Sequence, residues 1–483
     1  MNSTSNRFFT VFFLSAFFAL MLGFMYPKPM SPDEGLWLYM SRLWIRDGLP
    51  PYLSAYDTIP PGMALLYSVS YLLFGETLLM LRIASICALV CTGYMVQCIG
   101  TKVYCRQSGA VAMAIFCMAC TWPCMNSAYT TTPDSFMIMF LTSALYLLLK
   151  PYSNIKHHRQ SLFIAGVMSG IALLFLQSAF CSIIGILIFY RLFARNNNSH
   201  SENSLINSSF FLAGLFLIQI TVIAIICSGK LTVSEYVNCI YTSLFYPVSM
   251  PLCDRIASMV KIWRYTDLIL LYPFLAVFFL LYRKMANAKI PVAGFAVLLL
   301  FEFMAVNWMG LYGSFSVKHL LPSLSLAAGT AAVFAINHGV QHHAASRWVK
   351  GTLATIIIFG LPLFGIAFLL IPDYLNPKEH YYKIFGKWIN EHTNPEHFVY
   401  IYGIQAPILH AYADRQSPVR YISISSYRKP HFLRELTTDL TINRPALLIT
   451  TDAENTPDWL RMFIKHFYKT THKTKSIEVF TPK

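Results

Sequence analysis

The stretch that decides the fold runs from Met30 to Gly62 and reads MSPDEGLWLYMSRLWIRDGLPPYLSAYDTIPPG. It follows a first long apolar segment and precedes the next one. An adjacent acidic pair, Asp33 and Glu34, comes just after Pro32, and apolar residues then recur at helical spacing. The pattern predicts an amphipathic helix that lies at the membrane–water interface, with a carboxylate pair at its start.

Two interpretations of Asp33 and Glu34 remain open at this point. Acidic side chains in the first turn of a helix interact favourably with the helix dipole, so the pair could simply cap the helix. A carboxylate held at a membrane surface could instead take a proton from a reacting hydroxyl. The rest of the chain has to decide between these interpretations.

Composition identifies an integral membrane protein. The chain has 483 residues, of which 56% are hydrophobic and only 12% are charged, whereas soluble domains carry about 25% charged residues. The first apolar run, residues 8–25, is longer than the apolar core of a signal peptide and lacks a small-x-small cleavage site after it. We therefore expect a first span that is retained.

Apolar runs that cross, or nearly cross, a bilayer predict about eleven spans, at residues 8–26, 78–101, 109–124, 134–150, 161–175, 178–192, 207–227, 266–282, 291–309, 320–337 and 351–371. A shorter apolar run, Met63–Phe74, is expected to lie against the membrane surface. Lys and Arg concentrate in alternate loops, which places the N-terminus in the cytoplasm and the C-terminal region outside. The predicted location is the plasma membrane, the inner membrane of a bacterium.

The composition becomes that of a soluble protein from about Pro372. Residues 1–371 are predicted to form a transmembrane domain whose first outer loop is 27–62, and residues 372–483 an extracytoplasmic α/β domain. Strands are expected at Phe398–Tyr402, Val419–Ile424, Ala446–Thr450 and Ile477–Thr481, and helices at Tyr381–Glu391, Pro407–Ala413, Pro430–Asp439 and Pro457–Phe467.

Several stretches, taken in order, resemble one family. They are SPDEGLWLYMSRLWIRDGLPPY, YDTIPPGMALLY, LRIAS with Arg82, TTPDSFMIMFLTSALYLLLK with Asp134, VKHLLPSLSLAAG and WINEHTNPEHFVYIYG. Together they are similar to multi-spanning glycosyltransferases of the GT-C fold, in the branch related to protein O-mannosyltransferases and lipid A aminoarabinose transferases. The resemblance covers most of the chain.

The resemblance implies an inverting glycosyltransferase that moves a hexosyl or pentosyl group from a polyprenyl-phosphate sugar. The acceptor would be a hydroxyl of a glycan, a lipid or a protein at the outer face of the membrane, with membrane lipids around it and no nucleic-acid partner. Two alternatives are a transporter or flippase for a lipid-linked sugar and a catalytically silent relative that binds a partner. A transporter would show ionisable residues at several span midpoints or symmetric broken helices, and the chain shows essentially only Glu302.

Three acidic residues are candidates for the reaction. Asp33 is assigned as the general base, because an acceptor hydroxyl must lose a proton as it attacks. Glu34 is either its partner or a helix cap. Asp134 begins a span after Pro133; it either caps that helix or, as the resemblance implies, helps to arrange the donor or acceptor site.

Three cationic candidates could stabilise the charge that develops on the departing phosphate. They are Arg82, Lys318 and His319. Arg82 could instead snorkel to the interface, and Lys318 could be an interfacial anchor. Glu302, well inside an apolar run, is interpreted as a structural residue that faces a cavity.

The chain departs from the family pattern before Pro60. Relatives commonly carry a Lys, and some an acidic residue before it, where this chain has Ile59 and Thr58. The missing Lys removes a phosphate contact, and the missing acid disfavours a divalent metal, so no cofactor is predicted. Asp57 is a possible auxiliary residue that could replace part of what is lost.

Overall fold

The computed structural model describes residues 3–121, 130–150, 155–196, 204–240, 291–308, 318–339, 378–423 and 430–483 without 453 and 475–476, and the single residues 253, 257 and 285. The chain separates into two compact units. The helical unit comprises Met1–Lys28, Arg82–Val222 and Leu244–Tyr374, and the sheet unit comprises Pro29–Leu81, Ile223–Ser243 and Leu375–Lys483. The domain boundary predicted at residues 371 and 372 lies outside the described residues.

Nine described helices coincide with nine of the predicted spans: α1 (Ser3–Met25), α4 (Leu78–Val103), α5 (Arg106–Cys120), α6 (Pro133–Leu148), α7 (Ile155–Phe175), α8 (Ala179–Asn196), α9 (Ser204–Ile226), α11 (Val292–Trp308) and α12 (Leu321–Gly339). Five of them, namely α1, α4, α7, α9 and α12, are long and apolar enough to cross a membrane, and the other four are shorter apolar helices. The spans predicted at 266–282 and 351–371 lie outside the described residues.

Small residues let the helices of the helical unit approach closely. Helix α5 packs on α12, α8 on α11, and α6 on α7. A Cβ atom at Gly329 would lie 2.6 Å from the backbone nitrogen of Ala112, so only glycine permits this separation of α12 and α5. Ser108 and Thr330 share a hydrogen bond of 3.0 Å across the same pair. Close backbones and interhelical polar contacts are typical of helices that associate in lipid.

The sheet unit contains a four-stranded sheet with the order β1-β2-β4-β3. Strands β1 (Val399–Tyr402) and β2 (Leu447–Thr450) are parallel, whereas β4 (Glu478–Pro482) is antiparallel to both β2 and β3 (Tyr468–Lys473). Every residue of β1 and β2 is buried. The other helices of the unit are α2 (Pro32–Asp47), α3 (Gly62–Phe74), α10 (Val233–Ile240), α13 (Lys378–Glu391), α14 (Ala406–Ala413), α15 (Pro430–Ile442) and α16 (Asp458–Phe467).

The α/β character of the C-terminal region is confirmed, with one strand wrong and one strand missed. The expected strand Val419–Ile424 is irregular over its described residues 419–423. The backbone carbonyl of Arg420 accepts a hydrogen bond from the backbone N–H of Tyr56, and the phenol of Tyr39 accepts one from Ser417, so this segment pairs with the first loop instead of a strand. Strand β3 escaped prediction because only Tyr468 among its residues is buried.

Helix α2 is defined by its end residues. Ser31 is the N-cap residue, Pro32 occupies the first helical position, and Glu34 completes a reciprocal capping box with Ser31. Gly48 ends the helix with a φ of 69°, a left-handed conformation that glycine adopts without steric cost. The predicted helix is therefore confirmed, and its cap is Ser31 and not Asp33.

Helix α2 is buried over more than the one apolar face that an amphipathic helix would bury. All residues from Glu34 to Leu43 are buried, including Arg42, and α2 packs against α14. The Nη1 and Nη2 atoms of Arg42 donate to the carbonyls of Ala411 and His410 at 2.8 and 3.0 Å. A pattern of apolar spacing could not reveal these carbonyls, which come from a distant part of the chain.

Replacement of Gly35 by Ala tests the close approach of α2 and α14. A Cβ atom at Gly35 would lie 2.9 Å from backbone atoms of Ile408 and Pro407, so the two helices must separate. We expect Gly35→Ala to lower the free energy of unfolding by about 1–3 kcal/mol, measured by tryptophan fluorescence during denaturation in detergent.

The matched control is Gly23→Ala in α1, where an added Cβ atom would have no neighbouring atom within 4 Å. That change should be neutral or add about 1 kcal/mol through helix propensity. Equal stability of the two variants would contradict the assigned contact.

Candidate functional site

Glu34 in the sheet unit is committed to capping. Its Oε2 accepts the backbone N–H of Ser31 at 2.9 Å, and its own backbone N–H donates to Ser31 Oγ at 3.2 Å. The residue is fully buried. Of the two interpretations of Glu34, the geometry therefore matches the helix cap.

Asp33 has a different environment from its neighbour. Its side chain is exposed, and no described residue donates a hydrogen bond to its carboxylate. The surrounding protein removes part of its hydration, and the negative charges of Asp57 and Glu34 act in the same direction; together they raise the pKa of Asp33 to about 6. Solvent contact moderates the loss of hydration at Asp33. The charges of the two neighbouring carboxylates also raise its pKa.

Asp57 is held by three neutral donors. Its Oδ2 accepts from the indole Nε1–H of Trp37 at 2.9 Å, and its Oδ1 accepts from the backbone N–H groups of Thr58 and Ile59 at 2.7 and 3.1 Å. Burial raises the pKa of Asp57, and these hydrogen bonds partly oppose the shift. Trp37 was not singled out from the sequence, because a Trp among the apolar residues of an amphipathic helix is not a signal for a carboxylate partner.

The loop around Ile59 is held in one conformation. The phenol of Tyr52 donates to the carbonyl of Ile59 at 2.8 Å, and Tyr52 itself has a φ of 72°, which is unusual for a residue with a side chain. This hydrogen bond fixes the backbone at the position where the family pattern has a Lys. The presence of Ile59 instead of Lys therefore changes the side chain at a position whose backbone is held by a hydrogen bond.

The helical unit brings Asp134 and Lys318 together. Thr132 is the N-cap residue of α6 and Asp134 lies in its first turn, so Asp134 is not the cap. Lys318 is fully buried, and its Nζ donates to Thr132 Oγ1 at 2.8 Å and to Ser135 Oγ at 3.4 Å. The ammonium also interacts electrostatically with the carboxylate of Asp134. The N-terminus of α6 thus gathers a cation, an anion and two hydroxyls.

His319 is oriented by two serines that the sequence did not single out. Its Nε2 shares a hydrogen bond of 2.8 Å with Ser182 Oγ, and its Nδ1 lies 3.5 Å from Ser178 Oγ. Ser178 immediately precedes α8, and Ser182 lies in its first turn. Their signal in the sequence is weak, because isolated serines are common in membrane helices.

Arg82 makes contacts that account for its burial. Its Nη1 donates to the carbonyls of Met25 and Lys28 at 2.7 and 2.6 Å. The carbonyls at the end of α1 have no partner within their own helix, so a cation is favourable there. Phosphate binding by Arg82 stays a prediction.

Glu302 faces a small cavity, as its position suggested. Its Oε1 accepts from Ser323 Oγ at 2.7 Å, and the residue lines the cavity together with His319. Among the described residues, no three His, Cys, Asp or Glu side chains come together in a way that could hold a metal ion.

The predicted site residues therefore form one group in each unit. The sheet unit holds Asp33, Glu34 and Asp57. The helical unit holds Asp134, Lys318 and His319, with Arg82 at the end of α1.

These features define a multi-pass membrane protein with the GT-C type of fold, which confirms the predicted fold class and the stated resemblance. ArnT from Cupriavidus metallidurans bound to undecaprenyl phosphate is similar over 99% of this chain and 98% of that chain, with a TM-score of 0.65 and 14% identity. The oligosaccharyltransferase AglB from Archaeoglobus fulgidus, in complex with an inhibitory peptide and a dolichol-phosphate, is similar over 99% and 74%, with a TM-score of 0.57 and 11% identity.

The family model described as dolichyl-phosphate-mannose-protein mannosyltransferase matches residues 58–226. No curated protein matches the chain. At these identities the structural similarity establishes the fold.

Stability measurements distinguish the cap from the exposed carboxylate. Ser31→Ala removes the capping acceptor and should lower the free energy of unfolding by about 1 kcal/mol. Asp33→Asn should not lower the stability at pH 7, because the pKa of Asp33 is higher in the folded state than in the unfolded chain and its ionisation therefore opposes folding above that unfolded value.

Chemical denaturation at pH 7 measures both variants. Asp458→Asn serves as the control, since Asp458 also follows a proline in the first turn of a helix. A loss of stability in Asp33→Asn as large as in Ser31→Ala would mean that Asp33 acts as a cap.

Proposed function

We propose that the protein transfers a sugar from a polyprenyl-phosphate-linked donor to an acceptor hydroxyl at the outer face of the membrane, with Asp33 as the general base. Support for sugar transfer in general comes from the GT-C type of fold and from the mannosyltransferase family match. The base, the inverting course and the location of the reaction are our assignments.

The observation that carries the proposal is that three neighbouring acidic residues have different hydrogen-bond partners. Glu34 caps α2, and Asp57 accepts three hydrogen bonds from N–H groups. Asp33 is exposed, and no described residue donates a hydrogen bond to its carboxylate. A general base needs reach to its substrate and a pKa not far below the working pH, and Asp33 meets both requirements.

The proposed step is a single displacement. The acceptor oxygen forms a bond to the anomeric carbon as the bond from that carbon to the phosphate oxygen breaks. The proton of the acceptor hydroxyl passes to Asp33, and the electron pair of the broken bond leaves with the polyprenyl phosphate. Attack opposite to the leaving group inverts the configuration of the anomeric carbon.

In the helical unit, we assign Lys318 to the donor phosphate, with His319 beside it. Burial among the hydroxyls of Thr132 and Ser135 holds the Lys318 ammonium in place. A positioned cation stabilises negative charge on a leaving group more effectively away from bulk water. Asp134 sets the local electrostatic balance, because its carboxylate partly neutralises Lys318.

The donor class follows from the relatives. ArnT was solved with undecaprenyl phosphate and AglB with a dolichol-phosphate. By analogy we assign a polyprenyl phosphate to this chain. Together with the distribution of positive charge in the loops, this leads us to place the protein in the plasma membrane with its N-terminus in the cytoplasm and its C-terminal region outside.

Replacement of Asp33 by Asn tests the assignment of the base. Asn keeps the size of the side chain and cannot take a proton, so transfer should fall by about 10²–10⁴-fold. The assay uses the full-length protein in lipid nanodiscs, a panel of radiolabelled polyprenyl-phosphate sugars and envelope extracts as acceptors.

Asp458→Asn is again the matched control and should retain full transfer. Normal transfer by Asp33→Asn would remove this residue from the mechanism. If the wild-type protein forms no labelled product with any donor of the panel, the proposed function is wrong.

The pH dependence of transfer supplies an independent test. The base works in its ionised form, and the pKa of Asp33 is raised to about 6. The logarithm of kcat/KM should therefore rise with pH by about one unit per pH unit below 6 and become level above it.

Residual transfer by Asp33→Asn should lack this rising limb. If the logarithm of kcat/KM of the wild-type protein already becomes level near pH 4, the base has an ordinary carboxyl pKa. A rate that falls across the same range would require a protonated Asp33.

A further inference from the structure

Four exposed cationic residues lie near one another in the fold, around the point where α16 ends and β3 begins. We call Arg444, Lys465, Lys469 and Lys483 the cationic cluster. The guanidinium of Arg444 lies 4.3 Å from the centre of the Phe467 ring. These residues belong to the loop before β2, to α16, to β3 and to the residue after β4.

Hydrogen bonds hold the two chain segments of the cluster together. The backbone N–H of Lys483 donates to the carbonyl of Phe467 at 3.1 Å, and the Nζ of Lys483 donates to the carbonyl of Lys465 at 2.6 Å. Lys469 lies opposite Thr481 in the antiparallel pair of β3 and β4. The positive charges are therefore arranged by the fold and not scattered along a flexible tail.

No described side-chain carboxylate pairs with the cluster. Within the part of the chain that the structure describes, no member forms an ion pair with a carboxylate, whereas nearby Lys473 pairs with Glu478. Like charges held close together repel and oppose the compact state. A bound anion would relieve this repulsion.

Contacts within the fold help to place each member of the cluster, but they do not neutralise its charge. Lysines on an edge strand prevent the sheet from pairing with another chain, and β3 is an edge strand. That explanation applies to Lys469. The other three make different contacts. Lys465 lies in the last turn of α16, where a cation is favourable, Lys483 donates to a carbonyl of that turn, and Arg444 lies over the Phe467 ring. None of these contacts is with a side-chain carboxylate.

We propose that the cationic cluster binds phosphate or carboxylate groups of an anionic acceptor glycan. This inference rests on the proposed function, since it names the class of acceptor for that reaction. A group of exposed cations held by the fold complements the charge of anionic substituents on such a glycan. It also makes binding sensitive to salt, because exposed charges are screened.

The test measures binding of a fluorescent inorganic polyphosphate to the full-length protein in phosphatidylcholine nanodiscs, by anisotropy at low and moderate salt. The double variant Lys465→Gln/Lys469→Gln should bind about tenfold more weakly than the wild-type protein, with a shallower salt dependence. The control Lys383→Gln/Lys387→Gln removes two exposed lysines from α13 and should bind like the wild-type protein.

Three results would overturn the inference. They are equal binding by all three proteins, equal weakening in both variants, and lysine-dependent binding to phosphatidylglycerol vesicles without binding to polyphosphate. The last result would assign the cluster to a lipid surface.

Failure of this inference and failure of the proposed function are distinguishable. Polyphosphate binding does not depend on Asp33, so the Asp33→Asn variant should bind polyphosphate normally. Loss of cluster-dependent binding with transfer intact contradicts only the acceptor class. If polyphosphate binding depends on the cluster but the wild-type protein has no transfer activity, only the glycosyltransferase assignment is contradicted.

Discussion

The burial of the Arg42 guanidinium is the constraint on which the sheet unit depends. A buried cation is tolerated only when most of its polar atoms find partners, and the two Nη atoms of Arg42 donate to two carbonyls at the end of α14. Its Nε makes no hydrogen bond within the described part of the chain. Those carbonyls have no partner within their own helix, and the helix dipole makes that end negative. Glu76 and Asp414 complete the surroundings with ion pairs at 3.2 Å. Each partner therefore satisfies a requirement of the other.

The same contact explains how an acidic helix start can be both rigid and open to solvent. Arg42 anchors α2 in its middle, and Gly35 allows the first turn to lie against the backbone of Ile408. Ser31 and Glu34 then satisfy the N–H groups of that turn. Asp33 therefore has no capping role, and it lies on a helix that these contacts hold against α14.

Local features of this architecture could be predicted from the sequence because they depend on near neighbours. Spans follow from the length of apolar runs, and α2 follows from its spacing and its end residues. The partners of Arg42 could not be predicted, since periodicity reports burial without naming what lies on the other side. The same limit applies to the segment around Arg420, which looked like a strand and pairs with the first loop, and to Ser182, which orients a histidine from another helix.

For the candidate site, the sequence identified the ionisable groups but not the role of each. Asp33 and Glu34 are adjacent and chemically alike, and they differ in the hydrogen bonds that Glu34 makes with Ser31 and in the burial of Glu34. Lys318 was interpreted either as an anchor or as a phosphate ligand. Its burial beside Thr132 shows a position fixed by polar contacts, a property that follows from packing between distant helices.

The pairing of Arg42 with α14 also imposes an order on biosynthesis. The bonded groups are 368 and 369 residues apart in the chain. Proteins emerge from the ribosome N-terminus first, so α2 is made long before its partner exists. The acidic start of α2 acquires its final surroundings only after Ala411 has been synthesised. A prematurely terminated polypeptide would keep Asp33 and lose the segment against which its helix packs, so the environment of this carboxylate depends on completion of translation.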